Sequence, residues 1–270
     1  MELIIYLLIG AIAGFAAGLF GVGGGLIILP ILYVVFTHMG YDPSVIMQMA
    51  LGTSLATIVV TSISSVSAHH KKGAVLWPIF RLLAPGLIVG SLLGAGIAGA
   101  LSGHILQVLI GAFALWVSFS MFRGAQATVP KQQQLPAAPV LLGAGSVIGI
   151  ASAIFGIGGG SLTVPFLNKY GVVMQKAVAT SAACGLPIAL AGAIGFMWFG
   201  SSPHRSIEHA IGYVHIYAFI GISSMSFITA KVGARVAHIL SPAALKKCFA
   251  SLLLCIGLYF IQLAIFGITA

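Results

Sequence analysis

Charged side chains are scarce in this sequence, and acidic ones are the scarcest. Only 6% of the 270 residues are charged, with 12 Lys and Arg against 3 Asp and Glu, whereas 60% are hydrophobic. Ordinary globular chains carry roughly 25% charged residues, so a soluble fold of this length could not cover its surface with so few. The apolar runs are also too long and too uniform for the alternating strands of a membrane barrel. The composition therefore predicts an all-α polytopic protein embedded in the lipid bilayer.

The sequence patterns of enzymes and metal proteins are missing as well. The 3 cysteines show no CxxC spacing and lie in apolar runs, and no HExxH, paired carboxylates or GK[ST] phosphate loop occurs. The net charge of +9 fits the excess of basic residues in cytoplasmic loops better than it fits nucleic-acid binding. We therefore expect no enzyme, no nucleic-acid partner, and no cofactor or metal.

The sequence does contain ten apolar segments in two sets of five. The first set covers 3–20, 24–38, 45–66, 75–99 and 104–122, and the second covers 138–155, 159–172, 177–199, 212–233 and 243–266. The polar stretch between the sets holds three prolines and a glutamine run, which is typical of a linker. We therefore divide the chain into a first transmembrane repeat (1–122), a cytoplasmic linker (123–137) and a second transmembrane repeat (138–270).

The two sets are copies of one another. Phe20–Pro30 aligns with Phe155–Pro165 without a gap, and further on Gly73 aligns with Gly212. We assume that each copy crosses the membrane an odd number of times and that the linker is inside. Arg205 is then the one Lys or Arg of the outer loops. The cytoplasmic loops carry Lys71, Lys72, Arg81, Arg123, Lys131, Lys169, Lys176, Lys231, Arg235, Lys246 and Lys247. This bias predicts inverted repeats in the inner membrane, with the N-terminus outside, the linker inside and the C-terminus outside.

Each copy carries a glycine-rich interruption. We name "GVGGG" at residues 21–25 the first glycine motif and "GIGGG" at residues 156–160 the second glycine motif. The segments after them, 24–38 and 159–172, are too short for a full crossing, which takes about 20 residues. Each motif is therefore expected at the tip of a re-entrant or broken-helix hairpin, followed by three full transmembrane helices. Pro30 and Pro165 are expected to limit or kink the short helices.

A helix that begins after such a motif presents free N–H groups and a positive dipole end, which suit a small anion. Two inverted copies would bring two such helix ends together near the middle of the membrane. The motif residues expected to bind substrate are Gly21, Gly23, Gly24, Gly25, Gly156, Gly158, Gly159, Gly160 and Ser161. The alternative is that these glycines only allow close packing of helices.

A second shared element places hydroxyls in the third segment of each copy. Thr53 and Ser54 match Thr180 and Ser181, and we add all four to the expected substrate-binding residues. Such hydroxyls can donate to an anion, or they can bond to carbonyls of their own helix. Arg81 is a candidate for a vestibule at the cytoplasmic side, with snorkelling to the membrane interface as the alternative.

The paired "FGVGGG…P" and "FGIGGG…P" motifs, together with "GTS", "ATS" and "KKG", resemble the sulfite exporter TauE/SafE family, also called the toluene-sulfonate uptake permeases. The resemblance covers essentially the whole chain, although Ala179 stands where the other copy has Gly52. It implies a transporter of sulfite, sulfonates or related organosulfur anions, with the glycines of both motifs at the site.

These patterns together predict a secondary transporter that moves a small sulfur-containing anion, in the outward direction, by alternating access. An anion channel or facilitator on the same scaffold is the main alternative, and a non-transporting membrane scaffold is a third. The identity of the anion, its coupling ion and the oligomeric state stay open, with a homodimer among the choices.

Overall fold

The chain folds into a bundle of α-helices. The computed structural model describes residues 2–20, 23–122, 136–201, 207–237 and 242–267. These residues form α1 (Glu2–Phe20), α2 (Gly25–His38), α3 (Pro43–Lys71), α4 (Trp77–Ala100), α5 (Gly103–Phe122), α6 (Ala138–Ile154), α7 (Gly160–Lys169), α8 (Met174–Gly200), β1 (Ala210–Ile211), β2 (Val214–His215), α9 (Ile216–Ala237) and α10 (Pro242–Phe266). Residues 123–135 of the predicted linker lie outside the described part.

The predicted segments correspond to the ten helices, and local signals explain several boundaries. Asp42 caps α3 by accepting the Ser44 N–H at 2.8 Å, and Pro43 follows it in the first turn. The turns after α2 and α7 use glycines with positive φ, Gly40 and Gly171. Some boundaries differ from the prediction. Helix α3 continues to Lys71 instead of ending at residue 66, and the antiparallel pair β1–β2 precedes α9, so that helix begins at Ile216 instead of residue 212.

Six helices within the described residues are long and apolar enough to cross a membrane. They are α3, α4 and α5 from the first half, and α8, α9 and α10 from the second half. The other four helices are shorter than these six: α1 has 19 residues, α2 has 14, α6 has 17 and α7 has 10. The protein is therefore an all-α polytopic membrane protein, in which each half supplies three long helices and two short ones.

Pro30 and Pro165 lie inside α2 and α7. Neither proline ends its helix, because α2 continues to His38 and α7 continues to Lys169, and the expected kink stays a prediction. A proline within a helix removes one N–H, so the carbonyls of Leu26 and Ser161, four residues earlier, lose their usual helical donor.

The helices of the two halves are interleaved. Helix α1 packs along α9, and at the matched positions of the other half α6 packs along α4. Helix α3 packs against α8 near the centre, and α5 packs against α10. Each half therefore builds its core largely with helices of the other half.

Glycines allow the α4–α6 pair to approach to backbone contact. A Cβ on Gly145 would lie 2.6 Å from the Leu83 oxygen, and one on Gly149 would lie 2.5 Å from the Leu87 oxygen. On the facing helix, Gly86 and Gly90 are equally close to the α6 backbone. Small residues at such spacing are typical of tightly packed membrane helices.

The outer surface of the bundle is strongly apolar. Trp198 is 78% exposed, Phe266 71% and Val147 67%, and many other large apolar side chains share this exposure. A soluble monomer rarely shows contiguous apolar surface of this extent, whereas a lipid-facing surface requires it.

The α4–α6 contact gives a first prediction. Gly145→Ala should lower the free energy of unfolding by about 1–3 kcal/mol, because the added methyl group overlaps the Leu83 carbonyl. The matched control is Gly143→Ala on the same helix, where a Cβ would meet nothing within 4 Å. That variant should keep or slightly raise stability. Equilibrium unfolding in mixed micelles measures both, and equal stabilities for the two variants would contradict the packing.

Candidate functional site

Two short helices begin with the same unusual backbone conformation. Gly24 precedes α2 with φ 78° and ψ −9°, and Gly159 precedes α7 with φ 76° and ψ −9°. This left-handed region costs other residues strain, so both caps require glycine. The cap positions of the two glycine motifs therefore share one backbone conformation, although the aligned Gly23 and Gly158 differ, since only Gly23 has a positive φ.

Within the described residues, the first backbone N–H groups of each helix have no hydrogen-bond partner. Gly24 oxygen accepts the N–H groups of Ile27 and Ile28 at 3.0 Å each, and no side chain caps α2. Gly159 oxygen likewise accepts the N–H groups of Leu162 at 3.2 Å and Thr163 at 2.8 Å, and no side chain caps α7. The first amides of each helix precede these bonds and point outward with the positive end of the helix dipole.

The two glycine motifs are in contact with each other. A Cβ on Gly25 would overlap the Gly156 oxygen, and one on Gly23 would lie 3.7 Å from the Gly158 Cα. Gly158 also lies against α8, since a Cβ on Gly185 would be 2.7 Å from the Gly158 oxygen. The structure thus brings together the predicted motif residues of the two halves, apart from Gly21, which lies outside the described residues.

Ser54 joins the two motifs. Its fully buried hydroxyl lies 3.2 Å from the Gly156 oxygen and 3.4 Å from the Gly25 oxygen, and it can donate to either carbonyl. One side chain on α3 therefore links a backbone group of the first half to one of the second half. This contact gives Ser54 a positioning role at the predicted site.

Thr53 and Thr180 hold the starts of two other helices. The Thr53 hydroxyl oxygen accepts the His215 N–H at 2.9 Å, directly before α9. At the matched position, the Thr180 oxygen accepts the Leu76 N–H at 3.0 Å, directly before α4. These two predicted residues therefore share a structural contact in addition to the role expected from the sequence.

The hydroxyls around the second glycine motif are buried and lack partners. Within the described residues, no hydrogen bond reaches the hydroxyl oxygens of the predicted residues Ser161 and Ser181, or those of Ser152 and Thr163. The glycine pattern alone does not single out Ser152 or Thr163, because Ser152 precedes the motif and Thr163 follows it. A position-by-position comparison of the two halves would have found them.

Arg81 and two further hydroxyls of α3 are not among the groups around the glycine motifs. Arg81 is exposed on the second turn of α4. On α3, Thr57 bonds to the Ser54 oxygen at 2.7 Å and Thr61 to the Ile58 oxygen at 3.1 Å, so both hydroxyls are used within their own helix. Hydroxyls in membrane helices commonly bond to carbonyls of their own helix in this way.

His215 lies just before α9, outside the membrane-spanning helix. The Ala218 N–H donates to its Nδ1 at 3.1 Å, so Nε2 carries the proton and donates to the Tyr41 hydroxyl at 2.9 Å. Burial and the neighbouring His209 lower the pKa of His215 from 6.5 to about 4. The ring is therefore neutral near pH 7 and supplies no positive charge.

Comparison with known proteins gives consistent matches over almost the whole chain. A family model described as sulfite exporter TauE/SafE matches residues 6–260. A probable membrane transporter protein of Haemophilus influenzae is 35% identical over 256 residues, which is 95% of this chain and 97% of the relative. One of Methanocaldococcus jannaschii is 27% identical, covering 94% and 93% of the two chains, and YunE of Bacillus subtilis is 28% identical, covering 99% and 100%. No solved structure shows a significant match.

The contact of Ser54 gives a second prediction. Ser54→Ala should lower the free energy of unfolding by about 1–3 kcal/mol, because the Gly156 carbonyl loses a buried donor. Ser224→Ala is the control, since this exposed hydroxyl bonds only to the Ile220 oxygen of its own helix, and the change should stay within about 0.5 kcal/mol. Unfolding in mixed micelles compares them, and a Ser54 variant as stable as the wild-type protein would refute the role.

Proposed function

The chain belongs to the sulfite exporter TauE/SafE family of membrane transporters, and we propose that it moves a small sulfur-containing anion across the cytoplasmic membrane. Sulfite, a sulfonate or a related organosulfur anion passes outward by alternating access. The observation that carries this proposal is the meeting of two glycine-capped helix starts, one from each half, in the interior of the bundle. Paired helix N-termini suit an anion without any charged side chain.

The proposed mechanism depends on inverted repeats. Helix α1 of the first half packs on α9 of the second half, and their matched helices, α6 and α4, pack on each other in the same way. This reciprocal pairing supports a two-fold relation between the halves. The basic residues support opposite orientations, because they collect on one side of the membrane when each half crosses it an odd number of times. That side is cytoplasmic if the linker is cytoplasmic. Two repeats of opposite orientation can rock about a site near the middle of the membrane and open it to either face in turn.

The membrane potential supplies a driving force for export. A monovalent anion that leaves a cell gains about 2.3 kcal/mol per 100 mV. Carboxylates, the usual carriers of a coupled proton, stand at helix ends or in loops: Glu2 begins α1, Asp42 caps α3 and Glu208 precedes β1. Outward movement as a uniport therefore requires no further component.

Transport into or out of liposomes tests the function. Purified protein should carry sulfite or a sulfonate, and Gly24→Leu or Gly159→Leu should abolish the flux, since both caps need a positive φ and are closely packed. Gly143→Leu, at an open position, is the control, and size-exclusion chromatography shows that each variant is folded. Full transport by both cap variants would refute the site. Conductance steps in a planar bilayer would favour a channel on the same scaffold.

Cysteine labelling tests the orientation of the repeats. The native Cys184, Cys248 and Cys255 are replaced by Ala, and Lys72→Cys or Ile211→Cys is introduced next to the aligned Gly73 and Gly212. Both positions are exposed. A membrane-impermeant thiol reagent added to intact cells should label the residue at 211 and spare that at 72, because matched loops of inverted repeats face opposite sides. Labelling of both from the same side would contradict the inversion.

A further inference from the structure

The two glycine motifs have different side chains around them. Around the second motif, three positions carry hydroxyls, and the gap-free alignment of the halves puts apolar side chains at the same positions of the first half. The pairs are Ser152 and Ala17, Ser161 and Leu26, and Thr163 and Ile28. The cap positions thus share a backbone conformation, but the side chains around the two motifs differ in hydrogen-bonding capacity.

The hydroxyls of the second half are buried and without protein partners. Ser152, Thr163 and Ser181 are 0% exposed, and neither they nor Ser161 form a side-chain hydrogen bond in the described part of the chain. Ser54, which matches Ser181, instead bonds to the Gly156 and Gly25 carbonyls. Buried hydroxyls almost always have a partner, so a cluster without one indicates donors reserved for a ligand.

These hydroxyls lie at the start of α7. A Cβ placed on Gly159 would lie 3.5 Å from the Thr163 hydroxyl oxygen and 3.7 Å from that of Ser152. The first amides of α7 begin at the next residue. Ser181 is on the face of α8 that continues, at helical spacing, to Gly185 and Ile188, the two residues in contact with the second motif.

We infer that the side-chain donors of the anion site come from around the second glycine motif alone, and that the side chains around the first glycine motif form its apolar wall. This inference rests on the proposed function. The N-terminal amides of α7 and the hydroxyls of Ser152, Ser161, Thr163 and Ser181 hold the oxygens of the anion. Ala17, Leu26 and Ile28 bring no side-chain donor from the other side.

The same donors select the charge of the ligand. Every donor in this set is neutral, and the buried polar side chains of the described residues include no Lys or Arg. Amides and hydroxyls can stabilise one negative charge, but a second charge would be desolvated without a counter-ion. The site therefore takes a singly charged oxyanion, such as a sulfonate or hydrogensulfite, in preference to a dianion such as sulfate.

Two near-isosteric variants test the assignment, Ser152→Ala and Thr163→Val. Each should bind methanesulfonate about tenfold more weakly or worse, as expected for one lost hydrogen bond to a charged group. Without ligand, each should melt at the same or a higher temperature than the wild-type protein, because a buried hydroxyl without a partner is removed. Binding is measured by titration calorimetry and melting by thermal unfolding, both in detergent.

Ser118→Ala is the matched control. This buried hydroxyl donates to the Ala250 oxygen at 2.7 Å in the α5–α10 contact. Its loss should lower the melting temperature and leave the affinity for methanesulfonate unchanged. Loss of a ligand-binding hydroxyl should weaken affinity without lowering the melting temperature. Loss of a structural hydroxyl should lower the melting temperature without weakening affinity.

The possible outcomes separate a failure of this inference from a failure of the proposed transport function. Wild-type affinity in both variants, while the wild-type protein binds sulfite or methanesulfonate, overturns the inference alone. Sulfate bound as tightly as methanesulfonate overturns the selection of single charge. A wild-type protein that binds neither sulfite nor methanesulfonate overturns the proposed function and the inference together.

Discussion

Backbone groups inside an apolar bundle have no water to bind, and this constraint governs every break in the helices of this protein. The end of α6 meets it locally, since the N–H groups of Gly156 and Ile157 donate back to Ala153 and Ser152 at 3.3 and 2.9 Å. Beyond that turn the chain depends on Ser54, whose hydroxyl reaches the Gly156 carbonyl at 3.2 Å. Within the described residues the first amides of α7 have no such partner, and this is why we propose the second glycine motif as a place for a ligand.

The same constraint explains where the glycines are. At Gly24 and Gly159 they provide a left-handed cap that no side chain could adopt without strain. At Gly145 and Gly149 they are ordinary helical residues, and their lack of a side chain brings two backbones into contact. One residue type thus serves both the irregular centre and the regular periphery, so a count of glycines could not separate the two roles.

The sequence predicted the ten segments and the shortness of α2 and α7 well, because apolar runs and polar breaks follow directly from the bilayer. Segments 24–38 and 159–172 already ran across Pro30 and Pro165, and α2 and α7 do continue past these prolines, since neighbouring helices can hold a helix together around one missing N–H. The contacts of Thr53 with His215 and of Thr180 with Leu76 join residues far apart in sequence, and no local pattern reveals them. The β1–β2 pair has two residues per strand, which is too short for any periodicity.

The interleaving of the halves has a consequence for biosynthesis. Helix α4 meets α6 soon after both leave the ribosome, but the face of α1 that packs along α9 must wait for that helix, which is synthesised about two hundred residues later. During translation the first half is therefore inserted with one of its close-packing surfaces uncovered. That surface is covered only once the last quarter of the polypeptide has been synthesised.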